Sequence, residues 1–177
     1  MANAAQAPSH PLELEKFLPY RLSVLAQRVS ESLHDLYAQP YGLTVTQWRV
    51  MAALGRFAPL TASEVGRRIV MDKVAVSRAV AGLMQRDLVE RVTDRSDRRR
   101  ASLRLSPRGK AMHARIVPLA LAYEARLCEA LSAEERKTFN NLADRLFARA
   151  EALGLKATMR ACSSTSFRRR ARRTAES

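Results

Sequence analysis

Six arginines and two aspartates fall within the fifteen residues Arg91–Leu105, RVTDRSDRRRASLRL. Guanidinium groups present planar, forked donors that match phosphate oxygens, and arginine also suits the negative potential of a narrow minor groove. The chemistry offered is recognition of a polyanion, either by an unshaped basic run or by a shaped element that touches nucleic acid in one place. The ends of the stretch favour shape. VERV (89–92) and SLRL (102–105) alternate apolar and polar residues as half-buried strands do, and the polar residues 93–100 between them fit a hairpin loop. Val92, Leu103 and Leu105 are read as strand residues facing a core, Arg91 and Arg104 as facing solvent or phosphate.

Charge over the whole chain points the same way. The 177 residues hold 31 Lys+Arg against 17 Asp+Glu, a formal charge of +14 with a sequence pI near 11.1. Release of condensed counterions makes such a chain favour nucleic acid. Segments 90–110 and 160–177 carry +5 each, so ten of the fourteen net charges are local. With 47% apolar residues the chain can build one domain with a real core. No apolar run reaches the roughly 20 residues that span a bilayer, and the N-terminus lacks the order of a signal peptide. The expectation is a soluble, cytoplasmic protein with no membrane partner. Cys128 and Cys162 form no metal spacing or disulfide framework, and His10, His34 and His113 are scattered, so neither metal nor cofactor is expected. No nucleophile, base and orienting group share a recognisable spacing, which argues against an enzyme.

The elements that would position the arginines follow from periodicity and capping. Residues 1–11 are read as a flexible N-terminus. From Phe17, Leu18, Leu22, Leu25, Val29, Leu33 and Leu36 recur at steps of three and four, the stripe of a long helix that QPYG (39–42) ends. Thr44 with Gln47 and Thr61 with Glu64 are capping boxes, opening helices over about 45–57 and just after Thr61. A turn at 70–72 leads to Asp72 as N-cap of a helix over 73–87, in which Val76, Val80, Leu83 and Leu88 point inward. Ser106-Pro107 opens a helix to about Ala130 that Pro118 should kink. Ser132 with Glu135 opens another to about Leu153, where Gly154 is a natural stop. Residues 154–177 are read as a disordered basic tail.

Two short helices with a three-residue turn, followed by a basic hairpin, suit duplex DNA. The second helix fits the major groove, and Lys73, Ser77 and Arg78 at its amino end are the candidate base readers. Thr61 and Ser63 could place hydroxyls against phosphate. In the hairpin loop Arg95, Arg98 and Arg99 are the candidate minor-groove and phosphate contacts, and Asp97 is read as fixing the shape of the tip.

VSRAVAGLMQRDLVERVTDRSDRRRASLRLSPRGKAM resembles the MarR family of bacterial transcription regulators. Asp97, Arg99, Leu105, Ser106 and Gly109 fall on the family's wing pattern of Asp-x-Arg, a strand and Leu-Ser/Thr-x-x-Gly. The resemblance covers roughly 12–153. It implies a mainly α fold with a small β-hairpin wing: a winged helix-turn-helix lobe over 44–106, dimerised through helices at 12–38 and 107–153. It also implies a homodimer on a pseudo-palindromic operator, often repressing until a small aromatic ligand binds. LPYRLSVLAQRVSESLHDLY, TVTQWRVMAALG and MDKVAVSRAV together resemble the branch of the NicR, BpsR and HpaR repressors of aromatic-acid catabolism, with a hydroxynicotinate or hydroxyphenylacetate as example effectors.

An aromatic acid needs an apolar slot and a cation with forked donors. Arg21 or Arg49 could hold its carboxylate, Trp48 or Tyr20 could line its ring, and Val24, His34 and Met51 complete the candidate ligand set. The structural alternative places Trp48 in the core and His34 at an interface. The competing function is a nonspecific architectural DNA- or RNA-binding protein, which FRRRARR near the C-terminus favours.

Overall fold

Short polar side chains set most of the helix starts. The computed structural model describes residues 12–93 and 101–173, with side-chain environments for 12–92 and 101–154. In chain order the elements are α1 (Leu18–Tyr41), α2 (Val45–Phe57), β1 (Leu60–Thr61), α3 (Ala62–Ile69), α4 (Lys73–Gln85), β2 (Val89–Thr93), β3 (Ala101–Leu105), α5 (Pro107–Cys128) and α6 (Ala133–Arg173). At α2, Thr44 Oγ1 accepts the Gln47 N–H at 3.2 Å while Gln47 Oε1 accepts the Thr44 N–H at 3.0 Å. Glu64 and Thr61 repeat that box at α3, and Glu135 and Ser132 repeat it at α6. Asp72 Oδ1 accepts the Val74 and Ala75 N–H groups, both at 2.9 Å, and opens α4.

Left-handed residues make the stops. Gly42 closes α1 at φ 58, where the missing Cβ removes the steric penalty. Asp87 closes α4 at φ 55, with the Asp87 N–H on Met84 O at 3.0 Å and the Leu88 N–H on Leu83 O at 2.9 Å. This paired arrangement satisfies the last carbonyls of the helix and turns the chain into β2. Arg86 then donates to Gly42 O at 2.7 Å and Tyr41 O at 2.6 Å, fastening the end of α1 to the end of α4.

The fold is mainly helical with one small antiparallel sheet in the order β1-β3-β2. β1, only two residues long, pairs Leu60 with Leu103 and is too short for an alternating pattern to announce it. Two compact units divide the chain, residues 1–124 and 125–177. In the first, Val50, Met51, Val65, Leu83 and Leu88 have no exposed surface and form the centre of the core. Tyr37 is 1% exposed and joins α1 to that core, whereas Leu18, Leu22 and Leu25 of the sequence stripe stay more than two-fifths exposed.

Several expectations need correction. Arg91 pairs with Leu103 and Val92 with Ser102, so Val92 lies on the face opposite to Leu103 and Leu105. Strict alternation along both strands forces this, because directly paired residues share a face. Val92 therefore sits beside Arg104, and Arg91 stands on the face of the buried leucines. α6 also continues past Gly154 to Arg173, where a disordered tail was expected. One glycine inside a helix costs only ~1 kcal/mol, and Leu, Lys, Ala and Met follow it. As expected, α5 runs on through Pro118. The expected flexible segment 1–11 lies outside the described residues.

At the start of α5 the backbone leaves no room for a side chain. A Cβ on Gly109 would collide with the carbonyl of Leu88. Gly109→Ala should cost about 1–3 kcal/mol or more, read as a lower denaturant midpoint. An unchanged midpoint would mean that α5 can slide away from Leu88.

Candidate nucleic-acid interface

The inward residues Val76, Ala79, Val80 and Leu83 anchor one face of α4, which leaves Lys73, Ser77 and Arg78 exposed on the other. Asp72 fixes where that face begins. Its carboxyl is held below the usual carboxylate range chiefly by the Ala75 N–H, with Val74 and Arg78 adding to it, so the cap stays ionised at working pH. An open cleft of about 710 Å³ between α3 and α4 is lined by Ser63, Arg67, Lys73 and Ser77. Three residues expected at DNA thus meet in one place, and Arg67 joins them.

Thr61 forms the capping box read from the sequence. Its N–H and hydroxyl both donate to Glu64 Oε2 at 2.7 Å, and its Oγ1 accepts the Glu64 N–H at 3.2 Å. The hydroxyl is committed to shaping the turn, and Ser63 is the exposed hydroxyl there.

Beside α4 the sheet supplies an exposed cation. Arg91 lines a cavity of about 430 Å³ with Ser77, Met84, Gln85 and Leu103. Its place on this side of the sheet follows from the β2–β3 register, which pairs it with Leu103. Arg104 is paired across the strands with Glu90. Arg95, Asp97, Arg98 and Arg99 lie outside the described residues.

The residues named for an aromatic acid are dispersed. Met51 has no exposed surface and Trp48 is 7% exposed, so both serve the core. Trp48 stacks on His113 with centroids 5.7 Å apart and lies 5.6 Å from Tyr37, which meets His34 edge-on at 5.4 Å. Arg49 donates to Ser30 Oγ at 3.1 Å. Tyr20, Arg21 and Val24 are exposed near the opposite end of α1, about 15 Å along the axis from Tyr20 to Ser30 at 1.5 Å per residue. Cations do converge elsewhere. A cavity of about 490 Å³ between the end of α2, the β2–β3 pair and the start of α5 is lined by Leu54, Arg56, Val92, Arg104, Lys110 and His113. Its volume is in the range of small-molecule sites. Sequence periodicity could not single out His113, because only the close approach of its ring to Gly55 places it.

A family model described as MarR family matches residues 41–100, which span α2 to the hairpin. The structure is similar to a probable transcriptional regulator from Pseudomonas aeruginosa, with 30% identity, 76% of this chain and 99% of that chain covered, and a TM-score of 0.65. The chain belongs to the MarR family. A MarR-family transcriptional regulator from Silicibacter pomeroyi aligns at 27% identity over 77% of this chain and 91% of that one, with a TM-score of 0.68. The PcaV transcriptional regulator from Streptomyces coelicolor, in complex with its natural ligand, aligns at 26% identity over 80% and 99%, with a TM-score of 0.65. Among curated proteins none matches the sequence. MarR-family proteins are DNA-binding transcription regulators and not enzymes.

Burial pushes the His113 imidazole below its ordinary value. The unfolded chain then binds that proton more tightly than the folded one, so stability falls as pH drops through about 6.5 and levels off below the folded value. His113→Asn should remove that loss. Denaturant midpoints for the two proteins between about pH 7.5 and about pH 5.5 check it, and parallel curves would place the proton elsewhere.

Proposed function

We propose that the protein is a homodimeric repressor of a catabolic operon, acting in the cytoplasm on a pseudo-palindromic operator and released by a small aromatic carboxylate. The observation that carries the DNA half of this reading is the exposed row Lys73, Ser77 and Arg78 on a helix whose start is fixed by Asp72. Base edges in the major groove are read from the amino end of such a helix, and Ser63 and Arg67 in the adjoining cleft suit phosphate. Arg95, Arg98 and Arg99 are proposed for the minor groove, with Asp97 shaping the tip.

Dimerisation is supported by apolar surface that each helix leaves open. On α1, Leu18, Leu22 and Leu25 are 41–48% exposed, and on α6, Phe139, Leu142, Leu146 and Phe147 are 44–57% exposed. Contiguous apolar stripes of this kind are normally covered by a partner.

For the effector, the cavity beside His113 offers what a carboxylated ring requires. Leu54 and Val92 supply apolar wall, and Arg56 and Lys110 supply charge. A hydroxynicotinate or hydroxyphenylacetate is the proposed class. His34, Trp48 and Met51 would act behind this wall through packing. Tyr20, Arg21, Val24 and Arg49 stay in the proposal as α1 and α2 surface that an effector meets once another element covers it. The acid can release DNA only by binding the non-operator conformation more tightly.

A second reading, charge-driven binding to any DNA or RNA, is favoured by the arginines of 168–173. Competition between an inverted repeat and random duplex at physiological salt separates the two. The repressor predicts a ratio of ~10³ or more, and equal affinity supports the alternative.

Arg78→Ala should weaken operator binding by about 1–3 kcal/mol and relax preference at one base pair in each half-site. A uniform loss across sequences would make Arg78 a phosphate contact. Lys110→Met should raise the concentration of aromatic acid needed for release about tenfold, or ~1.4 kcal/mol. An unchanged titration would remove Lys110 from the effector site.

A further inference from the structure

We propose that Val74 reads thymine in the operator through the 5-methyl group of the base. The proposal rests on the DNA-binding reading of α4 and adds to it an apolar reader.

Val74, Arg78, Ala81 and Gln85 recur at steps of three and four on α4 and all are exposed. They form the outward strip of the helix, and Val74 is its amino-terminal member, two residues after the Asp72 cap. That is the end of a recognition helix that lies closest to base edges. Val74 is 59% exposed and has no part in the core.

Valine is a costly choice for such a position. Its branched Cβ loses rotamer freedom in a helix, and its isopropyl group gains nothing from water. An isolated exposed apolar residue needs no explanation on an ordinary surface. Here two flank one cap. Val70 is 74% exposed and takes φ 53, a left-handed conformation that a β-branched side chain rarely adopts. Asp72 stands between them in the sequence, so an exposed valine lies on either side of the cap.

Valine has no donor or acceptor, so it cannot read the hydrogen-bonding pattern of a base pair. In the major groove the apolar feature that distinguishes one base from the others is the 5-methyl of thymine. Val74 lies one helical turn before Arg78, so a methyl contact at Val74 would sit beside whatever base edge or phosphate Arg78 meets. Val70 is among the residues that line the cleft between α3 and α4.

The test uses the full-length protein and a randomised duplex library, from which the tightest-binding duplex is selected. Each thymine of one half-site is then replaced singly by deoxyuridine, which lacks only the methyl. The wild type should lose about fourfold in affinity at one thymine, the effect of one buried methyl-sized group. Val74→Ser and Val74→Ala should bind the thymine and deoxyuridine duplexes equally, and Val70→Ser should keep the wild-type discrimination. Val74→Ala retains a strong helix former, so its result stands even where serine disturbs the cap. The proposal is overturned if the wild type is insensitive at every thymine, if both Val74 variants still discriminate, or if the sensitivity follows Val70 instead. A library from which no duplex is enriched would overturn sequence reading by α4 itself, a result distinct from selective but methyl-blind binding.

Discussion

The hydroxyl of Ser106 holds the DNA-binding lobe to one geometry. It donates to Asp87 O at 2.6 Å and accepts the Gly109 N–H at 3.0 Å, while its backbone N–H reaches Leu88 O at 3.2 Å. Ser106 is 1% exposed, so these bonds form away from water, where an unmet polar group would cost about 1–3 kcal/mol. Three elements meet there: the end of α4, the end of β3 and the start of α5. Gly109 lies flush on the Leu88 carbonyl, which leaves the junction almost no freedom to open. The end of α4 and the hairpin strands are therefore joined through one buried serine and one glycine. Leu-Ser-x-x-Gly, met in the sequence as a pattern, has this as its physical cause.

Around that junction the other contacts decide which elements are fastened to α4. Arg86 carries the end of α1 along with the end of α4 through two hydrogen bonds from a charged donor. The ring row of His34, Tyr37, Trp48 and His113 links α1, α2 and the first turns of α5 by packing in edge-on, tilted and stacked pairs. The cavity lined by Arg56, Lys110 and His113 borders both this row and the base of the hairpin. A ligand there would press on elements already fastened to α4. Packed rows of this kind pass from one arrangement to another as units, which is how a small molecule can alter the pose of a distant helix.

Much of this was legible in the sequence because it is encoded locally. The boxes at Thr44, Thr61 and Ser132 and the cap at Asp72 depend on residues three apart, and each forms as read. The inward face of α4 follows from its period, and so does the exposed row of Lys73, Ser77 and Arg78. What sequence reading missed depends on contacts across the chain. β1 exists because β3 offers an edge to two residues, and Tyr37 is buried although it lies beside the stripe that periodicity picked out. Val92 was assigned to the face of Leu103 because alternation was read on each strand separately, without the register that pairs Arg91 with Leu103, whereas Arg91 is exposed as read. Gly154 was read as a stop from residue type alone, whereas the helix-forming residues after it carry α6 onward. The convergence of Arg56, Lys110 and His113 brings together positions more than fifty residues apart, which no local pattern can show.

The central claim is that a single buried hydroxyl fixes the recognition helix against the hairpin and so makes DNA binding possible. Its most direct test is the duplex affinity of Ser106→Ala at a temperature where circular dichroism shows the variant fully folded. The account predicts binding at least about tenfold weaker than wild type, because the lost hydroxyl frees the angle between α4 and the strands and charges binding with the cost of restoring it. Wild-type affinity in a folded Ser106→Ala protein would contradict it.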